Sequence, residues 1–367
     1  MGRRIVNLYQ CGARRAFHLP IPVNRWLQRL LHPAALTVIA LHLGLLACGW
    51  WVMQRLIPET FTLELFGRVH HVVGVHERLI ERIMVAGILA PGVFLVEYLW
   101  MGWAESSVRR LLVRPTPSAR SDLACFLAGL TPPMTLLSTL MSLGVVLVSG
   151  EWFRQAIGRA TGLTLSISDW PLALQAGLLF VVYSLFDFLS HRLDHTRLFW
   201  PLHRFHHAAD DFVVLTAARV HPAAFTALVG TTLPGVLIGA SPDALGDLAL
   251  AVMTLRLVIH SRIDSGFGWV GRWVIQSPRH HRLHHNLNRL PVNLSLLPIW
   301  DRLLGDWRDA PAKPLPIGAH TPYRQGAWFG PDLWRDYLDF WRGIWRLASG
   351  RRVRLPRPPA IANELQS

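Results

Sequence analysis

Residues Leu172 to Ser190 read LALQAGLLFVVYSLFDFLS, a run in which Asp187 is the only charged side chain. A bilayer core takes about 20 apolar helical residues, and lipid offers the backbone no hydrogen-bond partner, so such a run points to a spanning α-helix. Ala34 to Val52 and Met134 to Ser149 are nearly charge-free as well. The latter is long enough only if it begins near Leu123 and passes through Pro132 and Pro133. Two stretches are less clean: Ile83 to Trp103 contains Pro91, Gly92 and Glu97, and Ala223 to Ile259 suits a hairpin broken at Gly239-Ala240-Ser241-Pro242-Asp243. Hydrophobic residues make up 51% of the chain and charged ones 16%, against about 25% charged in ordinary soluble domains. The expectation is an all-α, multi-span membrane protein with four to six membrane helices, some of them re-entrant.

The formal charge of +14 comes almost wholly from arginine outside these runs: Arg3, Arg4, Arg14 and Arg15, then Arg109, Arg110 and Arg114, then a cluster from Arg342 to Arg357. Basic patches can mark nucleic acid. Arginine in short loops beside apolar spans is instead the orientation signal of membrane proteins and attracts anionic headgroups. No nucleic-acid partner is expected. The same rule places the N-terminus, the Ala104 to Arg120 loop and everything after Ser190 on the cytoplasmic side. The first apolar run starts near residue 34 and is too long for the core of a signal peptide. Cys11, Cys48 and Cys125 are scattered without a CxxC, so neither a disulfide framework nor a thiolate metal site is indicated.

The chain divides into a basic, interfacial lead-in (1–33), a membrane scaffold (34–170), a histidine-rich unit (171–309) that encloses the 223–259 hairpin, and a C-terminal segment (310–367). In that last segment Pro331 to Leu347 sets Trp334, Leu338, Trp341 and Trp345 three or four apart. This is the pattern of an amphipathic helix lying at the membrane surface or against the core.

Most of the 18 histidines fall between His191 and His285. His191 and His195 are four apart and share a helical face, with Asp187 one turn earlier. His203, His206 and His207 repeat that logic at i, i+3 and i+4, and so do His281, His284 and His285. One such motif is weak, because histidines four apart commonly serve as surface or core residues. Three together are hard to keep as a structural feature: buried neutral imidazoles each need partners and protonated ones repel, whereas a metal takes up their lone pairs. One ion needs three or four protein nitrogens, so eight or more histidines imply two ions. Iron, zinc, copper and nickel all accept imidazole. Histidine helices that emerge from a membrane span place the site where a lipid chain can reach it, which suits redox-active iron with oxygen.

The segments HRLDH, HRFHH and PRHHRLHH, followed by VNLSLLPIWDRLLGD, resemble the fatty acid hydroxylase superfamily, also called the sterol desaturase family, over about a third of the chain (Ser184 to Asp306). The family pattern is HxxxH, HxxHH and HxxHH separated by a membrane hairpin, with a Trp-Asp pair and a glycine downstream, here Trp300, Asp301 and Gly305. The resemblance implies an integral membrane enzyme whose histidine-ligated di-iron centre hydroxylates or desaturates a lipid, using O2 and external electrons. The implied ligands are His191, His195, His203, His206, His207, His281, His284 and His285. His260 is taken as the ninth, and His221 as a ligand or a residue behind one. Asp187, Asn293 and Asp301 are further candidates for either role, and no catalytic residue beyond the metal ligands is expected. His280 points off the ligand face, and the remaining histidines read as structural. Family members often carry Asn-Tyr-Gly where this chain has VNLS, a change expected to bear on the substrate pocket.

No GxGxxG follows a strand pattern, so electrons are expected from a separate cytochrome b5- or ferredoxin-type donor. Two rivals make different demands. A histidine-rich metal transporter needs ionisable residues along several spans, which here are few apart from Glu97 and Arg256. A zinc-dependent hydrolase needs a nearby carboxylate base, and HExxH is absent.

Overall fold

The apolar runs become helices, but fewer of them cross. The structure, a computed structural model, describes residues 23–350 apart from 66–67, 77–79, 81–83, 143–144, 163–165, 288–290 and 312–315. The basic N-terminal cluster, Cys11, His18 and the arginine-rich tail lie outside the described residues. In chain order come α1 (Val23–Leu30), α2 (Pro33–Leu56), an antiparallel hairpin of β1 (Phe61–Leu65) and β2 (Arg68–Val72), and α3 (Ala90–Met101). Next are α4 (Ser107–Leu112), α5 (Pro117–Gly129), α6 (Pro132–Met141), α7 (Val145–Thr161), α8 (Leu172–Asp194) and α9 (Trp200–His207). The last are α10 (Leu233–Ile238), α11 (Pro242–Ile259), α12 (Gly268–Trp273), α13 (Pro278–His284), α14 (Pro298–Leu303) and α15 (Gly330–Ala348). The expected all-α architecture holds, with the small hairpin as an addition.

Among the described residues two helices are long and apolar enough to cross a membrane, α2 over Ala35–Leu56 and α8, or three spans if α5 and α6 form one broken element. That is fewer than the four to six expected, for local reasons. α5 and α6 meet at 91°, because Pro132 and Pro133 cannot donate the backbone bonds that would continue α5. α3 has only 12 residues and follows a π-helical turn, Met84–Leu89. α11 has 18 residues but carries Asp243, Asp247 and Arg256, each costly in lipid.

Where α11 and α13 begin is written in two Ser-Pro steps. Ser241 and Ser277 accept from the backbone N–H of Ala244 and His280, and the following proline occupies a position whose N–H has no helical partner. α8 and α11 pack side by side, Leu179 and Tyr183 against Ala244, Leu248, Val252 and Ile259. Apolar burial drives helix association weakly in lipid, so interhelical polar contacts matter. Arg256 supplies them, donating to Asp187 at 2.7 Å and to Tyr183 Oη at 3.1 Å. Buried Glu97 on α3 accepts from Ser107 N and Oγ and from Arg262 N, tying α3 to the segment after α11.

α15 lies against α9 through Phe340, beside Leu202 and Ala223, and through Arg204, which donates to Asp336 and Asp339. Its packing face differs from the apolar stripe in the sequence: Asp332, Asp336 and Phe340 are buried while Trp334 and Trp345 are exposed. Arg204 draws the acidic face inward and turns those two tryptophans out.

Candidate metal centre

Four helix ends meet at one place. His191 lies in the last turn of α8 and His195 caps it; α9 carries His203, His206 and His207; His260 caps α11; α13 carries His281 and His284, and His285 caps it. The nine imidazoles form two groups, His191, His195, His203, His207 and His284 in one and His206, His260, His281 and His285 in the other, with one ring nitrogen of each residue within 4.8 Å of the rest of its group. Each HxxHH segment therefore straddles the pair. Its two histidines four apart enter one group and its middle histidine the other.

Backbone carbonyls orient the rings. His191 Nδ1 donates to Leu294 O at 2.7 Å, His284 Nδ1 to Val292 O at 3.0 Å, His260 Nδ1 to Arg256 O at 2.7 Å and His206 Nδ1 to Arg219 O at 3.2 Å. With the proton on Nδ1, Nε2 keeps a lone pair that faces the group. His206 Nε2 and His260 Nε2 then stand 3.3 Å apart with no proton between them. Other Nε2 pairs are as close: His260 to His281 at 3.0 Å, His203 to His207 at 3.1 Å, His191 to His203 at 3.2 Å and His281 to His285 at 3.2 Å. His284 Nε2 is buried without a hydrogen-bond partner.

Burial first, and neighbouring imidazoles second, hold His203, His206, His207, His281, His284 and His285 well below the ordinary histidine pKa. They are neutral at pH 7. Neutral lone pairs converging in a low-dielectric pocket repel unless a cation lies among them. The donor set, all imidazole with no thiolate, fits an imidazole-accepting transition metal in each group.

The carbonyls are themselves anchored. Arg219 is fully buried, donating to Asp122 Oδ1 at 2.6 Å and to Ser118 O at 2.9 Å. Asp301 accepts from Leu294 N at 2.7 Å and Ser295 N at 3.0 Å, which holds the loop whose carbonyls meet His191 and His284. Asn293, at φ 54°, donates to Arg308 O and accepts from Arg308 N, and Gln276 donates to the Asn293 carbonyl. The VNLS segment thus lies directly behind two of the histidines. Leu294 also lines the cavity described below, so the segment touches both regions.

The other candidates lie elsewhere. His221 is outside both groups, with Nε2 donating to Leu333 O and Nδ1 accepting from Ala223 N, each at 3.0 Å. Asp187 is outside them too and pairs with Arg256. His280, as expected from its position, is turned away, to Ser277 Oγ and Asp309. Sequence reasoning missed the anchors of the carbonyls, Asp122 and Arg219. It also missed the Asp187–Arg256 pair, although each member stands four residues before a histidine of the centre, a spacing open to view.

A cavity of 190 Å³ adjoins both groups. His191 and His203 of one group and His206, His260 and His281 of the other line it, together with the charged Asp187, Asp194 and Arg256 and the small Ala223, Ala224 and Ala227.

A protein-family model described as fatty acid hydroxylase matches residues 176–306. Among curated proteins, one named ornithine lipid hydroxylase OlsE, from Rhizobium tropici, is 29% identical over 149 residues, 39% of this chain and 44% of that protein. The similarity thus spans less than half of that relative's length. No solved structure matches. The matched segment contains all nine histidines of the two groups and the Asp301 loop that braces them, so the part of the chain that resembles the fatty acid hydroxylase family is the part that builds the site.

Proposed function

We propose that the protein is a multi-pass membrane enzyme that hydroxylates a lipid, with two iron ions held by His191, His195, His203, His207 and His284 and by His206, His260, His281 and His285. The observation that carries this reading is the 3.3 Å approach of His206 Nε2 and His260 Nε2, two lone pairs whose protons are committed to carbonyls on the far side of each ring. Similarity to a protein named for lipid hydroxylation supports a lipid as substrate.

Iron in such a site supplies the oxygen chemistry: one oxygen atom of O2 enters a C–H bond and the other leaves as water, with two electrons and two protons from outside. This chain's own contribution is placement. Carbonyls of Arg219, Arg256, Val292 and Leu294 hold the imidazoles in one tautomer, as partners behind metal ligands do. The cavity walls hold the lipid against the histidines, where an error of about an ångström costs orders of magnitude in rate. Electrons reach the site from a separate donor of the cytochrome b5 or ferredoxin type, with the histidine centre on the cytoplasmic side.

The test is metal analysis and Mössbauer spectroscopy of purified protein grown with iron-57, beside His203→Ala and His281→Ala. About two irons per chain, lost in the double variant, with reductant-dependent O2 uptake in the wild type, is the expected result. Stoichiometric zinc with anaerobic turnover would replace this reading by a zinc-dependent hydrolase.

A further inference from the structure

The cavity wall carries charge that an aliphatic chain has no use for. Asp187, Asp194 and Arg256 all line it. Ionisable groups within apolar helices are costly, and by default mark a functional site. A purely structural pair between α8 and α11 would be closed off, yet 40% of the Arg256 side chain stays accessible.

Arg256's bonds explain that opening. Both of its side-chain hydrogen bonds, to Tyr183 Oη and Asp187 Oδ1, use Nη2. The Nη1 and Nε edge takes no part in these bonds, on a side chain that lines the cavity, and a guanidinium edge matches an oxyanion two-pronged. An anion alone would meet two carboxylates that line the same cavity, Asp187 and Asp194, the latter 3.7 Å from His203 Nδ1. A headgroup that brings its own ammonium satisfies both signs.

We propose that this cavity binds a zwitterionic lipid headgroup, its oxyanion on the free edge of Arg256 and its ammonium beside Asp187 and Asp194. Size agrees: a cavity of 190 Å³ has room for several polar groups of an amino-acid headgroup. The assignment also says where oxidation falls, a point that rests on the lipid hydroxylase reading. Asp187 and Arg256 each precede a histidine of the centre by four residues, about 6 Å along a helix. The carbon presented to the histidines therefore belongs to the headgroup or to the first atoms of the chain attached to it.

The test is binding to purified protein in nanodiscs, measured by microscale thermophoresis with Nα-palmitoyl-lysine, its methyl ester and palmitate. The zwitterion should bind at least tenfold tighter than either control. Arg256→Gln should remove that preference by weakening the zwitterion and leaving the methyl ester unchanged. The exchange Asp187→Arg with Arg256→Asp keeps an interhelical pair; it should preserve the thermal midpoint and still lose the preference. Palmitate binding as tightly as the zwitterion, or an Arg256→Gln protein that folds and keeps the preference, would overturn the assignment. Because binding is read without turnover, the two readings fail separately. Iron-dependent hydroxylation of an uncharged lipid with no zwitterion preference sinks the headgroup site alone, whereas selective zwitterion binding by a protein without iron or O2 uptake sinks the hydroxylase alone.

Discussion

The two histidine groups share α9 and α13, but α8 supplies only the five-membered group and α11 only the four-membered one, and they are held differently. In the five-membered group His191, His195 and His203 are partly open, whereas in the four-membered group only His206 is. The carbonyls behind the five-membered group, those of Val292 and Leu294, lie on one loop braced by Asp301. Those behind the four-membered group come from Arg219, locked to Asp122, and from Arg256, locked to Asp187. One group leans on a neighbouring loop and the other on ion pairs, the buried Asp122–Arg219 and the more open Asp187–Arg256. Asp122 lies outside the segment 176–306 that the family model matches. Part of the support for the site thus comes from outside the matched segment.

That contrast can be broken by substitution. The largest effect is expected from His260→Ala, which removes a ligand nitrogen from the smaller group. Bound metal should fall to about one ion per chain with turnover lost, and an unchanged metal count by mass spectrometry would contradict the partition. Asp122→Asn comes next. It leaves the fully buried Arg219 unpaired, an uncompensated charge that costs about 3–5 kcal/mol, and should lower the thermal midpoint while disturbing the four-membered group. Two Mössbauer doublets that stay the same in this variant would show that Arg219 does not orient His206.

Asp301→Ala sharpens the other half. It frees the 292–295 loop and should weaken metal binding at the five-membered group by about 10- to 100-fold, measured by competition with a chelator, with the other group's affinity retained. Acid should separate the metal-free and loaded proteins by a smaller margin. The buried imidazoles stay neutral in the folded state, whereas unfolded histidines bind protons below about pH 6.5. The unfolded state therefore holds more protons, and metal-free protein loses stability as pH falls through that value. A thermal midpoint flat between pH 7.5 and 5.5 would mean that the imidazoles are not buried as described. The smallest effect belongs to Trp345→Ala on the exposed face of α15, within about 0.5 kcal/mol.

Much of this site was legible beforehand. All nine histidines that converge are those singled out by spacing and by family resemblance, because an imidazole four residues from another announces a shared helical face. The helical character of the apolar runs was equally plain. Their count of spans was not, since Pro132 and Pro133 turn α5 and α6 by 91° and the charges of α11 raise its cost in lipid. The amphipathic character of α15 was legible in its stripe, but the burial of Asp336 was not, because its partner Arg204 is 132 residues away.

By itself the sequence determined which atoms can bind a metal, since residue type and helical period are local properties that survive in a string of letters. Tertiary structure alone decided how those atoms are shared. Each HxxHH segment is divided between the two groups, and the lone pairs are aimed by carbonyls of Arg219, Arg256, Val292 and Leu294. Every residue carries a carbonyl, so no letter in the sequence marks the four that the fold puts to use.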